Sequence, residues 1–210
     1  MKRAVRVTIA LALMGLSLAG CGSFLPKPKP NSSRLFELFS PLQAVERQDS
    51  DTPGQISLGV GPIRLPGYLD RRQIVTRVAQ NRIDLSEDDR WAEPLDENLT
   101  RVLAQNLSVL LRTDRIVVYP WPIDRKPDYR VEIQVLRFEC NSAGDGQLSA
   151  RWTVIDENGK EAPNLKESRL TRPAKEKSTD GSVAALSETV ADLSREIAQT
   201  VIAVDGRRQP

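Results

Sequence analysis

Two apolar stripes at helical spacing set the strongest limit on how this chain can fold. Leu95, Leu99, Val102, Leu103, Leu107, Leu110 and Leu111 line one side of a helix that opens at Pro94, where a missing N–H is harmless. Asp96 and Glu97 in its first turn and Arg112 at its end match the polarity of the helix dipole. Val183, Leu186, Val190, Leu193, Ile197 and Val201 repeat the pattern across Ser178–Val204. One-sided helices need an apolar layer to lie on, and the rest of the chain supplies strands. "RIVVYPW" (Arg115–Trp121) is a short strand stopped by Pro120 and Pro122. "DYRVEIQVLRFEC" is a long one with Tyr129, Val131, Ile133 and Val135 on one face. Its apolar positions then shift to Leu136, Phe138 and Cys140, which predicts a bulge or a change of buried face. "QLSARWTVID" alternates, with Leu148, Ala150, Trp152 and Val154 inward. Asn158-Gly159 is a hairpin signal, after which "NLKESRLTR" returns as an edge strand blunted by charge. Upstream, Arg34–Phe39, Gln55–Ile63 and Arg72–Val78 read as strands, and "NRIDLSEDDRWAE" as a polar turn. The expected fold class is α/β. It is a single domain in which two long helices pack on a mixed, mostly antiparallel sheet of about six strands.

The chain's beginning has a different character. Lys2, Arg3 and Arg6 precede an uncharged run from Val7 to Gly20, too short for the roughly 20 residues of a spanning helix. "LAGCGS" follows and resembles a bacterial lipoprotein signal with its lipobox, in which a cysteine follows small residues. The resemblance implies that Cys21 takes a diacylglycerol as a thioether, that residues 1–20 are removed, and that the new amino terminus is acylated, commonly with palmitate. Two acyl chains hold a bilayer far more firmly than one, since each buried CH₂ adds about 0.8 kcal/mol. Gly22 after the cysteine resembles the class sorted to the outer membrane. Residues 21–33 then form a lipidated start and a spacer in which Pro26, Pro28 and Pro30 alternate with Lys27 and Lys29. Such a spacer favours an extended path reaching about 35–40 Å at most. Residues 34–204 are the expected domain and 205–210 a disordered tail.

Charge has to be counted without the signal. The full chain has 30 basic and 28 acidic residues, net +2. Taking Lys2, Arg3 and Arg6 away leaves 27 basic against 28 acidic, so the mature chain is nearly neutral and carries no nucleic-acid footprint. The chain has no histidine, which removes the commonest general base and the usual zinc ligand. No phosphate-binding GxxxxGK[ST] loop is present. With Cys21 lipidated, Cys140 is left without an intrachain partner, and a buried thiol on a strand is its expected state. No metal and no cofactor is expected beyond the covalent lipid.

Several segments together resemble one family. They are "LPGYLDRRQIVTR" (Leu65–Arg77), "NRIDLSEDDRWAEPL" (Asn81–Leu95), "YPW" (Tyr119–Trp121), "VLRFE" (Val135–Glu139) and "ARW" (Ala150–Trp152), with a lipobox in front and the helix "ALSETVADLSREIA" behind. In this order they are similar to the PqiC/YmbA-type ABC-transport auxiliary lipoproteins. Family sequences often carry proline where this chain has Arg72. The resemblance implies an outer-membrane lipoprotein facing the periplasm, working with an MCE-domain transporter subunit that conducts phospholipids between membranes. It also implies no catalytic centre, and ring-like self-assembly is known in the family.

Two stretches stand out as partner-binding candidates: Tyr68, Leu69, Asp70 and Arg71 at a corner, and Arg90, Trp91 and Glu93 ahead of the first helix. Aromatic and arginine residues are enriched at interfaces. A structural account competes at both places: Gly67 freeing a turn in which Asp70 bonds local groups, and Trp91 and Glu93 stapling and capping the helix start. Trp121 reads as a lid on the core, and Phe138 and Trp152 as core. Asp88, Asp89 and Glu93 are the one carboxylate cluster a hydrolase could use. A free-standing envelope assembly lipoprotein is the alternative to a transport role.

Overall fold

A computed structural model of the chain describes residues 33–42, 55–122, 126–160 and 165–206. Residues 1–20, Cys21, the spacer up to residue 32 and the last four residues of the expected tail lie outside these. The described residues belong to one compact unit.

Eight strands and two long helices follow in the order β1 (Arg34–Phe36), β2 (Leu58–Arg64), β3 (Gln73–Ala79), β4 (Arg82–Trp91), α1 (Leu95–Leu111), β5 (Ile116–Val118), β6 (Tyr129–Asn141), β7 (Gly146–Asp156), β8 (Lys166–Arg172) and α2 (Thr179–Asp205). The expected α/β fold with two helices on a mixed sheet is what forms. The axis of the sheet is β6. Its whole length pairs antiparallel with β7, from Tyr129↔Asp156 to Cys140↔Gly146, and β7 pairs antiparallel with the edge strand β8. The other edge of β6 is divided. β2 runs parallel to its first half, from Leu58↔Tyr129 to Arg64↔Gln134, while β3 joins its end at Thr76↔Cys140 and Arg77↔Asn141. β5 extends the sheet beyond β2, and β4 and β1 extend it beyond β3. The chain therefore leaves the edge of β6 after Arg64, swings through residues 65–72, and returns to the same edge further along.

Alternation decides which face is buried. Val131, Ile133 and Val135 of β6 and Leu148, Ala150, Trp152 and Val154 of β7 point into one core with both helix stripes. Their neighbours Glu132, Gln134, Arg151 and Glu167 fall on the opposite face. The register of β6 slips between Val135 and Arg137, so Phe138 and Cys140 stay in the core despite the change of parity. The expected bulge is present. α1 packs on β2 and β5, α2 on β6, β7 and β8, and the helices on each other. At that crossing the fully buried Asn106 donates to Ser194 Oγ at 3.1 Å and accepts from Ser40 Oγ at 2.6 Å, which satisfies polar groups in a dry contact. Ser178 caps α2 by accepting from the Gly181 N–H at 3.0 Å.

Three expectations need correction. "NRIDLSEDDRWAE" is not a turn: Arg82–Trp91 is the ten-residue strand β4, held between β3 and β1. Half of its side chains are exposed, so the backbone ladder makes the strand while the side chains show little alternation. Pro94 is the cap residue itself, with φ −52° and ψ 136°, and the helix proper starts at Leu95. Glu93 does not cap: α1 has no side-chain cap, and the Glu93 carboxylate instead pairs with Arg101 at 2.8 Å.

Candidate partner-binding surface

The corner after β2 is built on a buried charge. Glu139 stands on β6 with no exposed side-chain surface and is held by Arg77 of β3 through both oxygens, with Arg77 Nη2 donating to Oε2 at 3.2 Å. Arg137 adds a second cation at 3.3 Å. Tyr68 hydrogen-bonds the same carboxylate, and its phenol is pushed up to about 12, first by burial and then by the Glu139 charge. A carboxylate this deep is stable only with such partners. Leu69 is sunk in the core, and the turn is closed by the Leu69 N–H donating to Pro66 O at 2.9 Å and the Arg71 N–H to Leu69 O at 2.8 Å. Gly67 sits outside the left-handed region, so its conformational freedom is not what makes this turn.

The second stretch meets the first. Trp91 N–H donates to Arg72 O at 2.7 Å, and Gln73 pairs with Arg90, so residues 68–73 and 90–93 form one continuous rim. Asp70, Arg71 and Arg72 are exposed on it, and Arg90 and Glu93 are half-buried. Arg90 donates to Glu87 O at 2.9 Å, while its buried Nη1 has no protein partner. Trp91 is core, its ring 6.4 Å from that of Phe138. Of the seven residues singled out, Leu69 and Trp91 therefore support the rim from beneath, and Tyr68 fixes it to β6. Sequence reasoning passed over Glu139 and Arg77. The available signal was a lone carboxylate between Phe138 and Cys140 in an apolar run.

Two of the three carboxylates of the hydrolase reading are committed to separate cations. Asp89 is buried, paired with Arg34 at 2.7 Å, and accepts from Thr179 Oγ1 at 2.6 Å. Glu93 belongs to Arg101, and Asp88 is exposed. Among the described residues no group of three or more His, Cys, Asp or Glu side chains could hold a metal ion, and no helix is long and apolar enough to cross a membrane.

Cys140 is a buried thiol on β6, raised to about 11 by burial, with a Ser182 hydrogen bond opposing the shift. A raised acid group stabilises the fold fully below its unfolded value, here 9.0, and loses that contribution as pH climbs toward 11. Urea stability should therefore fall between pH 9 and 11, by about 2 kcal/mol from this thiol alone. Tyr68 adds to the fall only above pH 10, its ordinary value. The thiol's share should vanish in Cys140→Ala, and an unchanged profile in that variant would refute the assignment.

Fold and rim define a single-domain α/β protein whose conspicuous side chains lie on an exposed edge. The chain belongs to the family of ABC-type transport auxiliary lipoprotein components, matching it over residues 36–198. No curated protein matches it. A crystal structure of an uncharacterised protein is similar at TM-score 0.65 and 21% identity, covering 80% of this chain and 98% of that one. A Xanthomonas campestris protein is similar at TM-score 0.64 and 15% identity, covering 84% and 100%. These likenesses show the fold. A PelC dodecamer from Paraburkholderia phytofirmans matches at TM-score 0.39 and 12% identity, over 68% and 92%, too distantly to bear on this chain's assembly.

Proposed function

We propose that this chain is a non-catalytic lipoprotein of the outer membrane, lipid-anchored on the periplasmic face through Cys21, which docks an MCE-domain subunit of an ABC-powered phospholipid transport system and so supports envelope integrity. One observation carries the reading: the family match spans nearly the whole folded domain and stands behind a lipobox. The rim of Tyr68, Asp70, Arg71, Arg90 and Glu93 supports the docking half, since it is a surface with arginines to offer. A ring of several copies would present that rim repeatedly to one transporter.

The test begins at the anchor. Radiolabelled palmitate should enter the wild-type chain and be absent from Cys21→Ser, and the variant should leave the outer-membrane fraction. Label retained without Cys21, or wild type sedimenting with the inner membrane, would overturn the localisation. Affinity capture of the lipidated chain should recover an MCE-domain subunit. Capture of a different outer-membrane protein in its place would favour a free-standing assembly role.

A further inference from the structure

Beside the rim lies a groove that the family assignment leaves unexplained. It has a volume of about 540 Å³ and runs between the end of β2, the end of β5 and the first three turns of α1. Val60, Ile63, Ala104, Val118 and Tyr119 give it apolar walls, and Asp96 and Glu97 stand at its margin. Apolar clefts of ~300–1,000 Å³ with a few converging polar groups are the usual form of a binding site. Three observations say what kind of occupant fits.

The first is exposure. Val118 is 42% exposed and Tyr119 51%. Trp121 meets Tyr119 edge to face at 5.2 Å and holds its ring in place. The position of Gly61, at φ 109°, brings β2 so close that a Cβ there would stand 2.9 Å from that of Tyr119. The aromatic wall is built in.

The second is charge. Asp96 and Glu97 are exposed and have no cation partner among the described residues. The one guanidinium lining the groove, Arg101, is committed to Glu93 at 2.8 Å and to Glu37 at 3.4 Å. The margin is therefore negative, and an anionic ligand such as a phospholipid headgroup is disfavoured there. The third is the sheet edge. β5 pairs only with β2, so among the described residues its outer backbone groups face no other strand. Edges of this kind take up extended segments through main-chain hydrogen bonds, with side-chain pockets supplying specificity.

We infer that this groove binds an extended segment of a partner protein in which apolar side chains alternate with lysine or arginine. The apolar side chains occupy the cleft against Val118 and Tyr119, and the cation meets Asp96 and Glu97. The inference rests on the reading that this domain holds a protein partner. It gives that contact a chemistry and a place, joined to the rim through the Glu93–Arg101 pair.

The decisive experiment uses the full lipidated chain in phosphatidylcholine nanodiscs and a short fluorescein-labelled peptide alternating valine with lysine, alongside a twin carrying glutamate for lysine. The lysine peptide should bind about ten-fold or more tightly than the twin, a ratio worth about 1.4 kcal/mol. The double variant Asp96→Lys/Glu97→Lys should erase or invert that preference. Val118→Glu should weaken both peptides; far-UV circular dichroism should be unchanged in each variant, and the charge reversal should lower the melting temperature by only a few degrees, the cost of placing lysines at a helix start. Equal affinity for the two peptides, or indifference to the charge reversal, would overturn the inference. In cells, benzoylphenylalanine placed at Tyr119 should crosslink to an apolar, basic stretch of another protein. Adducts only with lipid or with a second copy of this chain would count against it. If groove variants leave capture of the MCE-domain subunit intact, the groove fails while docking stands. If no subunit is captured from wild type, docking fails while the peptide titration still decides the groove.

Discussion

Arg77→Met is expected to destabilise the domain by about 3 kcal/mol, the lower end of what removing one partner of a buried ion pair costs. The figure sits there because Glu139 would keep Arg137 at 3.3 Å and the Tyr68 hydroxyl. What Arg77 uniquely supplies is a two-oxygen clamp on a carboxylate with no exposed surface. The damage should lie in the charge left behind, and the double variant Arg77→Met/Glu139→Leu should recover most of it, since apolar replacement of both partners removes the desolvated charge together with its cation. Urea unfolding of the two singles and the double gives the coupling directly. Additive losses, or a single-variant loss under about 1 kcal/mol, would mean that Glu139 is not held chiefly by this pair. Because Tyr68 hangs on the same carboxylate, the single variant should also loosen the rim, seen as faster amide exchange at residues 68–72.

Trp152→Ala should cost more, about 3–5 kcal/mol, the range for truncating a large buried aromatic. Trp152 is 1% exposed at the centre of β7, opposite Ile133 on one side and Lys166 on the other. Its indole N–H donates to Ser168 Oγ at 2.8 Å, and Ser168 in turn donates to Glu196 of α2. Lys166 lies over the ring at 5.3 Å. The side chain therefore fills the core and also ties the edge strand β8 to the helix layer. Trp152→Phe separates the two roles: it keeps most of the volume, loses the N–H, and should cost about 1–2 kcal/mol. For a domain of this size each kcal/mol moves the melting temperature by about 2–4 °C, so Trp152→Ala should melt roughly 10 °C lower. Equal losses for the two substitutions would assign the effect to the hydrogen bond rather than to packing.

The parts of the fold legible beforehand were those in which one residue's neighbours along the chain also share its environment. Val183, Leu186, Val190, Leu193 and Ile197 lie on one helical stripe and are all buried, and Leu148, Ala150, Trp152 and Val154 alternate against the same core. The slip at Val135 was visible for the same reason, since a change of parity in a strand has to be absorbed locally. β4 was not legible. Its ladder to β3 and β1 is made by backbone groups that carry no side-chain signature, and its exposed positions hold Asp84, Glu87 and Asp88, which also suit turns. The rim was half legible. Both stretches could be picked out, but Leu69 and Trp91 could not be told from surface residues, because an apolar side chain in a polar stretch reads alike whether it anchors a loop inward or a partner outward.

The sequence by itself determined the two helices, the long strands β6 and β7 and the membership of a transport auxiliary lipoprotein family. These rest on periodicity and on contiguous motifs, which are properties of the chain read in order. Only the tertiary structure decided that β2 and β3 share one edge of β6, that Glu139 becomes the buried post for the corner at Tyr68, and that Arg72 and Trp91 join two distant stretches into one rim. It alone opened the groove beneath Tyr119, whose walls come from three separate elements. Contacts of this kind depend on which surfaces meet when the apolar faces are buried together, and no local pattern of residues encodes that meeting.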